Sequence, residues 1–322
     1  MLTRRLLPAL LAAPALAQAQ PTPFRRPVRV IVSSAAGASL DTLARVLAPA
    51  VSARIGQPVV VENQGGANGL IATQQVARSE PDGTTLLVTG DAIVLSEIAN
   101  PQPGLGFREA FAPVVQAVKA AQILVTHPGS GFRDVQGYIA AVKAQPGKLN
   151  VGIPALGGIA QVVHEVLANR VGGLPVEYVS YRGGGPATLD LLARNTDALV
   201  ITLPAITDQV RNGAIIPLAV TTGERDPALP EVPTLAETVA PGFDIDSWQG
   251  VLAPARTPPA TLAALNTIFT EALRDAAVSE RLTGLGFAVT ALPPDQFAAR
   301  AAASIETFGP VVRALGNAGP RS

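Results

Sequence analysis

The sequence predicts an α/β protein in which mainly parallel sheets are flanked by helices. Two observations carry this prediction. Near the start of the chain, a short apolar strand pattern is followed three times by a loop of small residues and then by a helical pattern. Beyond residue 122 three further strand patterns lead into loops of the same kind. Strands that alternate with helices in this way are typical of sheets covered by helices on their faces.

The predicted elements follow one another along most of the 322 residues. Extended segments are predicted at residues 28–32, 59–61, 85–88, 122–125, 150–152, 176–181, 198–202 and 217–221. Helical periodicity predicts helices at residues 40–53, 70–78, 135–144, 160–170, 187–193, 259–275 and 294–314, with one more after the loop at residues 89–92. With 48% hydrophobic residues the chain can bury a sizeable core.

Two clusters of small-residue loops predict two lobes that face each other. The helices after Trp248 have no matching loops, so we expect them to pack back on the first lobe. This organisation places lobe 1 at residues 26–121 plus 247–322 and lobe 2 at residues 122–246. A chain that crosses twice between lobes permits hinge closure around a ligand.

The first 19 residues have the pattern of a signal peptide. Arg4 and Arg5 precede an apolar run at residues 6–16, and small-residue cleavage sites follow after Ala17 or Ala19. The pattern leaves open whether export uses the general secretory or the twin-arginine route. The chain has no cysteine, so we expect no lipid anchor and no disulfide. These features predict a free periplasmic protein.

Charge and residue types argue against nucleic-acid binding and against catalysis. Lys plus Arg and Asp plus Glu are 24 each, so the basic excess of a nucleic-acid binder is missing. No serine lies in a nucleophile elbow, and no histidine pair has metal-ligand spacing. His127 and His164 lie far apart on different predicted elements, where surface or packing roles are expected. We therefore expect no catalytic residue, no metal and no cofactor.

The small-residue loops predict a site for a small anion, bound by backbone N–H groups and hydroxyls at helix N-termini. The first of these loops spans residues 33–39 and contains three serines but no Lys or Arg. A purely structural alternative stays open, in which Ser39 caps the following helix and Gly37 turns the chain. Asp41 is expected to pair with Arg45 one helical turn away.

Seven motifs in chain order resemble those of the periplasmic solute-binding proteins of tripartite tricarboxylate transporters, the Bug family. The resemblance extends over nearly the whole chain after the leader. The motifs lie at residues 32–45 (VSSAAGASLDTLAR), 56–69 (GQPVVVENQGGANG), 81–87 (PDGTTLL), 110–114 (AFAPV), 179–183 (VSYRG), 225–237 (RDPALPEVPTLAE) and 248–258 (WQGVLAPARTP).

The resemblance implies a two-lobed type II periplasmic binding protein fold that closes on a small carboxylate in a cleft between its lobes. Ordered waters are expected in the site, and the partners are integral-membrane transporter subunits, which receive the ligand from a monomeric receptor. A ligand-sensing subunit that docks on a signalling protein, and more remotely a hydrolytic enzyme, stay open as alternatives. The binding residues implied by position are Ser34, Ala36, Gly37, Ala38, Ser39, Gly66, Ala67, Asn68, Thr89, Leu156, Gly157, Gly158, Tyr181 and Thr202.

Two departures from the family pattern bear on the ligand. Ser33 and Ser34 stand where the family has a proline and an aromatic residue, and Gly158 and Gln161 replace a serine and a histidine. These changes imply a more polar or a larger ligand. Because no titrating cation is predicted in the site, we expect ligand affinity to be constant from about pH 6 to 8.

Overall fold

The computed structural model describes residues 24–317, so the predicted signal peptide at residues 1–19 lies outside the described residues. The strands within this range belong to one continuous, curled sheet. They are β1 (Val28–Val32), β2 (Val59–Asn63), β3 (Thr85–Gly90), β4 (Phe111–Thr126), β5 (Asn150–Ile153), β6 (Glu177–Ser180), β7 (Ala198–Thr202), β8 (Ile216–Val220), β9 (Asp246–Pro254) and β10 (Ala288–Leu292).

Helices cover the faces of this sheet, and short 3₁₀ turns at Ala67–Gly69 and Leu203–Ala205 follow β2 and β7. The helices are α1 (Ser39–Ile55), α2 (Leu70–Ala77), α3 (Ala92–Ala99), α4 (Phe107–Ala110), α5 (Val135–Ala144), α6 (Ile159–Arg170), α7 (Gly184–Leu192), α8 (Thr207–Arg211), α9 (Leu235–Thr238), α10 (Pro259–Arg274), α11 (Ala276–Gly284) and α12 (Pro294–Asn317).

The sheet has the strand order β2-β1-β3-β9-β4-β7-β5-β6, and both β8 and β10 pair with β4. At each end the strands are parallel, β1 with β2 and β3, and β5 with β6 and β7. In the middle, β4 and β9 run antiparallel to their neighbours. The α/β class predicted from the sequence is confirmed, although these two strands make the sheet less parallel than the sequence predicts.

Strand β4 joins the two halves of the sheet. Its first part pairs with β9 from Phe111 opposite Pro254 to Ala121 opposite Asp246. From residue 122 onward it pairs with β7 and β8 instead. The sequence predicts only residues 122–125 of this strand as extended. The lobe boundaries at residues 121/122 and 246/247 stay a prediction, and they coincide with the change of pairing partner.

Separate hydrophobic cores fill the faces of the two halves. In the first half, Leu43 and Leu47 of α1 pack with Phe269 of α10 on one face. On the other face Trp248 contacts Phe297 edge-to-face, with ring centroids 5.1 Å apart. Burial of each such side chain contributes about 1.5–3 kcal/mol. These contacts place the helices that follow β9 on the first half of the sheet.

His164 lies in the core of the second half and not in a cleft. Its Nε2 is 2.7 Å from the Tyr138 hydroxyl, and its Nδ1 is 2.7 Å from the Tyr178 hydroxyl. Burial lowers the pKa of His164 to about 4, so the ring stays neutral near pH 7. The other histidine, His127, accepts a hydrogen bond from the backbone N–H of Gly129 through its Nδ1. Both histidines thus have the structural roles that the sequence predicts.

Candidate functional site

A cavity of about 450 Å³ lies where the loops of the two halves meet. This volume is within the usual range for small-molecule sites. Ten of the fourteen residues that the sequence predicts for the site line it. They are Ser34, Ala38, Ser39, Gly66, Ala67, Asn68, Leu156, Gly158, Tyr181 and Thr202. The other four, Ala36, Gly37, Thr89 and Gly157, lie behind the lining or beside it.

The N-termini of four helices contribute to the cavity wall. Two of them, α1 and α3, belong to the first half of the sheet, and α6 and α7 belong to the second. The first N–H groups of a helix have no partner within the helix, and the helix dipole adds positive potential there. The lining residues in these first turns are Ser39 and Leu40 in α1, Ala92 in α3, Ile159 and Ala160 in α6, and Gly184 in α7. Such an arrangement attracts an anion.

The first loop is held in place by a hydrogen-bonded network at the start of α1. The backbone N–H of Gly37 donates to Asp41 Oδ2 over 2.9 Å, and Asp41 pairs with Arg45 at 2.8 Å, as the sequence predicts. Arg45 also donates to Asn63 Oδ1, and the Asn63 amide donates to the carbonyl of Ser34. Burial disfavours the Asp41 carboxylate, but these donors outweigh it and lower its pKa. The N–H of Gly37 is therefore used inside the loop.

Hydroxyl groups under the first loop are also engaged with each other. Ser33 donates to Thr89 Oγ1 over 2.9 Å, and both side chains are buried. Thr89 thus supports the loop from below and does not line the cavity. Ser39 Oγ accepts a hydrogen bond of 2.7 Å from Gln249 Nε2, which leaves the proton of its own hydroxyl for another acceptor.

The first loop touches the start of α7, at Gly183 and Gly185, on the far side of the cleft. A Cβ built on Gly185 would lie 2.6 Å from the carbonyl oxygen of Ala36, and one on Gly183 would lie 3.0 Å from the Cβ of Ala35. Side chains larger than hydrogen do not fit between these two loops. Ala36 therefore contacts the opposite loop instead of the cavity, which accounts for its absence from the lining.

In the second half of the molecule, Gly157 and Tyr181 are predicted to contact the ligand, but their polar groups are hydrogen-bonded within the protein. The N–H of Gly157 donates to Gln161 Oε1 over 2.7 Å, so Gln161 holds the loop that leads Gly158 to the cavity. The hydroxyl of Tyr181 donates to the Asp190 carboxylate. Burial together with this bond raises the pKa of Tyr181. Tyr181 therefore presents its ring to the site, while its hydroxyl is already paired.

Asp91 lines the cavity and is missing from the sequence-based set. It is 2% exposed, and its Oδ2 accepts hydrogen bonds from the Ser247 hydroxyl and from the Trp248 N–H at 3.1 Å. Burial raises the pKa of Asp91 to about 7. The expectation from the sequence concerns only titrating cations in the site and does not anticipate this carboxyl. Gln122 and Gln249 also line the cavity and were not predicted.

The charged side chains along the cavity wall within residues 24–317 are those of Asp91 and Arg182. Over the same part of the chain, no group of three or more His, Cys, Asp or Glu side chains could hold a metal ion. None of the helices that the structure describes is both long and apolar enough to cross a membrane.

A curled α/β sheet with a cleft between its two halves defines the class of two-lobed periplasmic binding proteins. The chain matches the model of the tripartite tricarboxylate transporter family receptor over residues 43–317, and it belongs to that family. Protein BugT of Bordetella pertussis (strain Tohama I) is 34% identical over 308 residues, which are 95% of this chain and 93% of BugT. A UPF0065 protein of Pseudomonas sp. (strain P51) is 33% identical over 85% of this chain and 81% of its own.

Solved structures of similar proteins have the same fold. The periplasmic binding protein BugD superposes with a TM-score of 0.84 at 28% identity, covering 91% of this chain and 98% of BugD. The structure of an R. palustris protein with adipate superposes with a TM-score of 0.85 at 28% identity, covering 91% of this chain and 98% of that protein. MatC from Rhodopseudomonas palustris with bound malate superposes with a TM-score of 0.82 at 29% identity, covering 89% of this chain and 99% of MatC.

Proposed function

We propose that this protein is a periplasmic receptor that binds a small carboxylate and delivers it to a tripartite tricarboxylate-type membrane transporter. The observation that carries the proposal is the convergence of four helix N-termini on one cavity of about 450 Å³. Relatives with the same fold have been solved with adipate and with malate. Both are carboxylates of a size that such a cavity accommodates.

Binding would come from closure of the two lobes on the ligand. The contact between Ala36 and Gly185 joins loops from opposite sides of the cleft, and it can form only when the lobes are together. Closure replaces the water around the carboxylate with oriented N–H groups, and ordered waters fill the space that remains. The receptor is proposed to act as a monomer, free in the periplasm after removal of residues 1–19, and to dock on the integral-membrane transporter subunits.

A binding role is favoured over catalysis by the residues that surround the cavity. Its lining holds the Asp91 carboxyl but neither of the two histidines, since His127 and His164 are engaged elsewhere. Of the serines that line it, Ser247 donates to the Asp91 carboxyl and Ser39 accepts from an amide, so neither is hydrogen-bonded to a histidine. General acid–base chemistry on a carboxylate has no evident partner pair here.

The proposal is tested by binding of carboxylates to the refolded mature protein, since refolding removes any ligand retained from the host. Thermal shift with malate, succinate, glutarate and adipate should identify binders, because a ligand that prefers the folded state raises the melting temperature. Calorimetry then gives the affinity. If carboxylates fail to bind while the protein is folded, and if amides or sugars bind instead, the carboxylate receptor function is wrong.

A further inference from the structure

Three side-chain oxygens at the floor of the cleft lack a hydrogen-bond partner in the described part of the chain. They are Asp91 Oδ1, Gln122 Oε1 and Gln249 Oε1. All three residues line the cavity, and none is more than 2% exposed. A buried acceptor without a donor destabilises the folded protein, because it has lost its hydrogen bonds to water. Because all three belong to residues that line one cavity, they indicate a wall that is completed by hydrogen-bond donors on a bound molecule.

The three oxygens belong to adjacent segments. Asp91 directly follows β3, Gln249 lies on β9, which pairs with β3, and Gln122 lies on β4, which also pairs with β9. Each of the other polar atoms of these side chains makes at least one hydrogen bond within the protein. The two amide nitrogens donate to Thr202 Oγ1 over 2.9 Å and to Ser39 Oγ over 2.7 Å, and Asp91 Oδ2 accepts two hydrogen bonds from β9.

Of the common ligand groups, an ammonium best matches such a floor. It has three N–H donors and no acceptor, and its positive charge is stabilised by an ionised carboxylate. We propose that the ligand of this receptor is a carboxylate that also carries a protonated amine, with the ammonium bound by Asp91, Gln122 and Gln249. The inference rests on the proposed receptor function, because the carboxylate of the same ligand is assigned to the helix N-termini.

The charges around Asp91 leave it without a cation in contact. The charged groups that act on it are Asp246 on β9 and Arg300 on α12. Arg300 pairs with Asp246, which also pairs with Lys119 on β4 at 3.3 Å. Both cations are therefore engaged by Asp246, and the ammonium of the ligand would be the first positive group to reach Asp91.

The assignment of an ammonium to Asp91 determines whether ligand affinity rises or falls with pH. Burial raises the pKa of Asp91 to about 7, so the carboxyl is partly protonated in the empty protein at neutral pH. An ammonium favours the ionised form and releases a proton on binding, and its affinity should rise from pH 6 to 8. A ligand that placed a second carboxylate against Asp91 would take up a proton and bind more weakly over the same range.

The experiment compares compounds that differ only at the proposed ammonium position. Adipate is measured against 2-aminoadipate, malate and succinate against aspartate, and glutarate against glutamate, each by calorimetry at pH 6, 7 and 8. In at least one pair, the aminated compound should bind at least tenfold more tightly than its counterpart. Calorimetry in two buffers of different ionisation enthalpy should show proton release for that compound at pH 7.

Asp91→Asn separates the ligand contact from the structural contacts. The amide oxygen of Asn can accept the two hydrogen bonds from β9, while its NH₂ replaces Oδ1, the oxygen that the proposal assigns to the ammonium. The variant should fold, and it should lose at least tenfold in affinity for the aminated compound and none for the plain carboxylate. Asp226→Asn is the control, because Asp226 is a partly buried carboxyl with a raised pKa that does not line the cavity.

The outcomes distinguish the two proposals. If plain carboxylates bind and no aminated counterpart binds more tightly, the ammonium assignment is overturned and the receptor function stands. The same holds if Asp91→Asn binds the aminated compound as tightly as the wild type does. If no carboxylate of either kind binds the folded protein, both proposals fail together.

Discussion

At the scale of single residues, Asp91 couples the site to the stability of the fold. Its pKa is raised from 3.8 to about 7 by burial, so folding favours the protonated carboxyl. Its contribution to the free energy of unfolding is complete below about pH 4 and is lost as the pH rises to 7. At neutral pH the ligand-free protein therefore carries a partly ionised carboxyl whose charge destabilises the fold.

We predict that Asp91→Asn removes this loss of stability. In the wild type the Asp91 contribution should fall by up to about 1.4 kcal/mol per pH unit between pH 4 and 7. The difference in unfolding free energy between Asp91→Asn and wild type should therefore grow in favour of the variant over this interval and level off above pH 7. Urea unfolding from pH 5 to 8 measures it. A difference that is independent of pH would show that Asp91 is ionised throughout.

The sequence could not reveal Asp91, because its environment is made by residues far along the chain. The residues that bury it and bond to it, Ser247 and Trp248, lie 156 and 157 positions away. Most of the small-residue positions were predictable, because their loops have a local pattern and a family resemblance. Which of their N–H groups are already used, as at Gly37 and Gly157, depends on the side chains of Asp41 and Gln161. The spacing of small residues does not show which backbone N–H groups remain available to a ligand.

At the scale of elements, helix α7 and the first loop form the contact that closes the cleft. Gly185 lies in the first turn of α7, and its hydrogen approaches the carbonyl oxygen of Ala36. Its backbone is not in the left-handed region, so alanine can adopt the same conformation. A side chain at position 185 would therefore clash only with the opposite loop, and only when the two loops are in contact.

We predict that Gly185→Ala weakens ligand binding without lowering the stability of the ligand-free protein. Alanine in a helix is favoured over glycine by about 0.5–1 kcal/mol, so the melting temperature without ligand should stay the same or rise. In the closed form the added Cβ would lie 2.6 Å from an oxygen, and overpacking of this kind costs about 1–3 kcal/mol. The dissociation constant should rise roughly five- to 150-fold.

Gly284→Ala is the control for this prediction. Gly284 is the last residue of α11, and a Cβ there meets nothing within 4 Å. It tests the effect of alanine on a helix without any contact across the cleft. Calorimetry should give the wild-type dissociation constant for Gly284→Ala. Equal affinities for all three proteins would mean that the two loops do not approach each other in the bound state.

The strands that the sequence missed are those with no alternation to detect. All nine residues of β9 except Asp246 are buried, and β4 is buried along most of its length. Because both faces of these strands are covered, apolar and polar residues do not alternate with a period of two. Helix α11 and strand β10 were missed for another reason, since they are short and half-exposed and take their position from β4 and α10.

At the scale of the whole molecule, the two halves are joined by a narrow set of strands. The chain passes between them along β4 and returns at the start of β9, while the cleft loops meet on one side. In the proposed opening movement, the backbone angles would change near residues 121–122 and 246–247, and the cores of the two halves would stay intact. The fold class follows from the alternating pattern, but this hinge depends on the pairing of two strands far apart in sequence.

We predict that ligand binding makes the protein more compact. X-ray scattering should give a larger radius of gyration for the refolded, ligand-free protein than for the same protein saturated with ligand. Gly185→Ala should need a higher ligand concentration than the wild type to reach the smaller value, because its added Cβ disfavours the contact between the loops. Trp248, the one tryptophan in the sequence, offers a second measurement. Its backbone N–H donates to Asp91, so its emission should change when ligand binds beside that carboxyl. An unchanged radius of gyration together with a changed emission would mean that the ligand enters a cleft that is already closed.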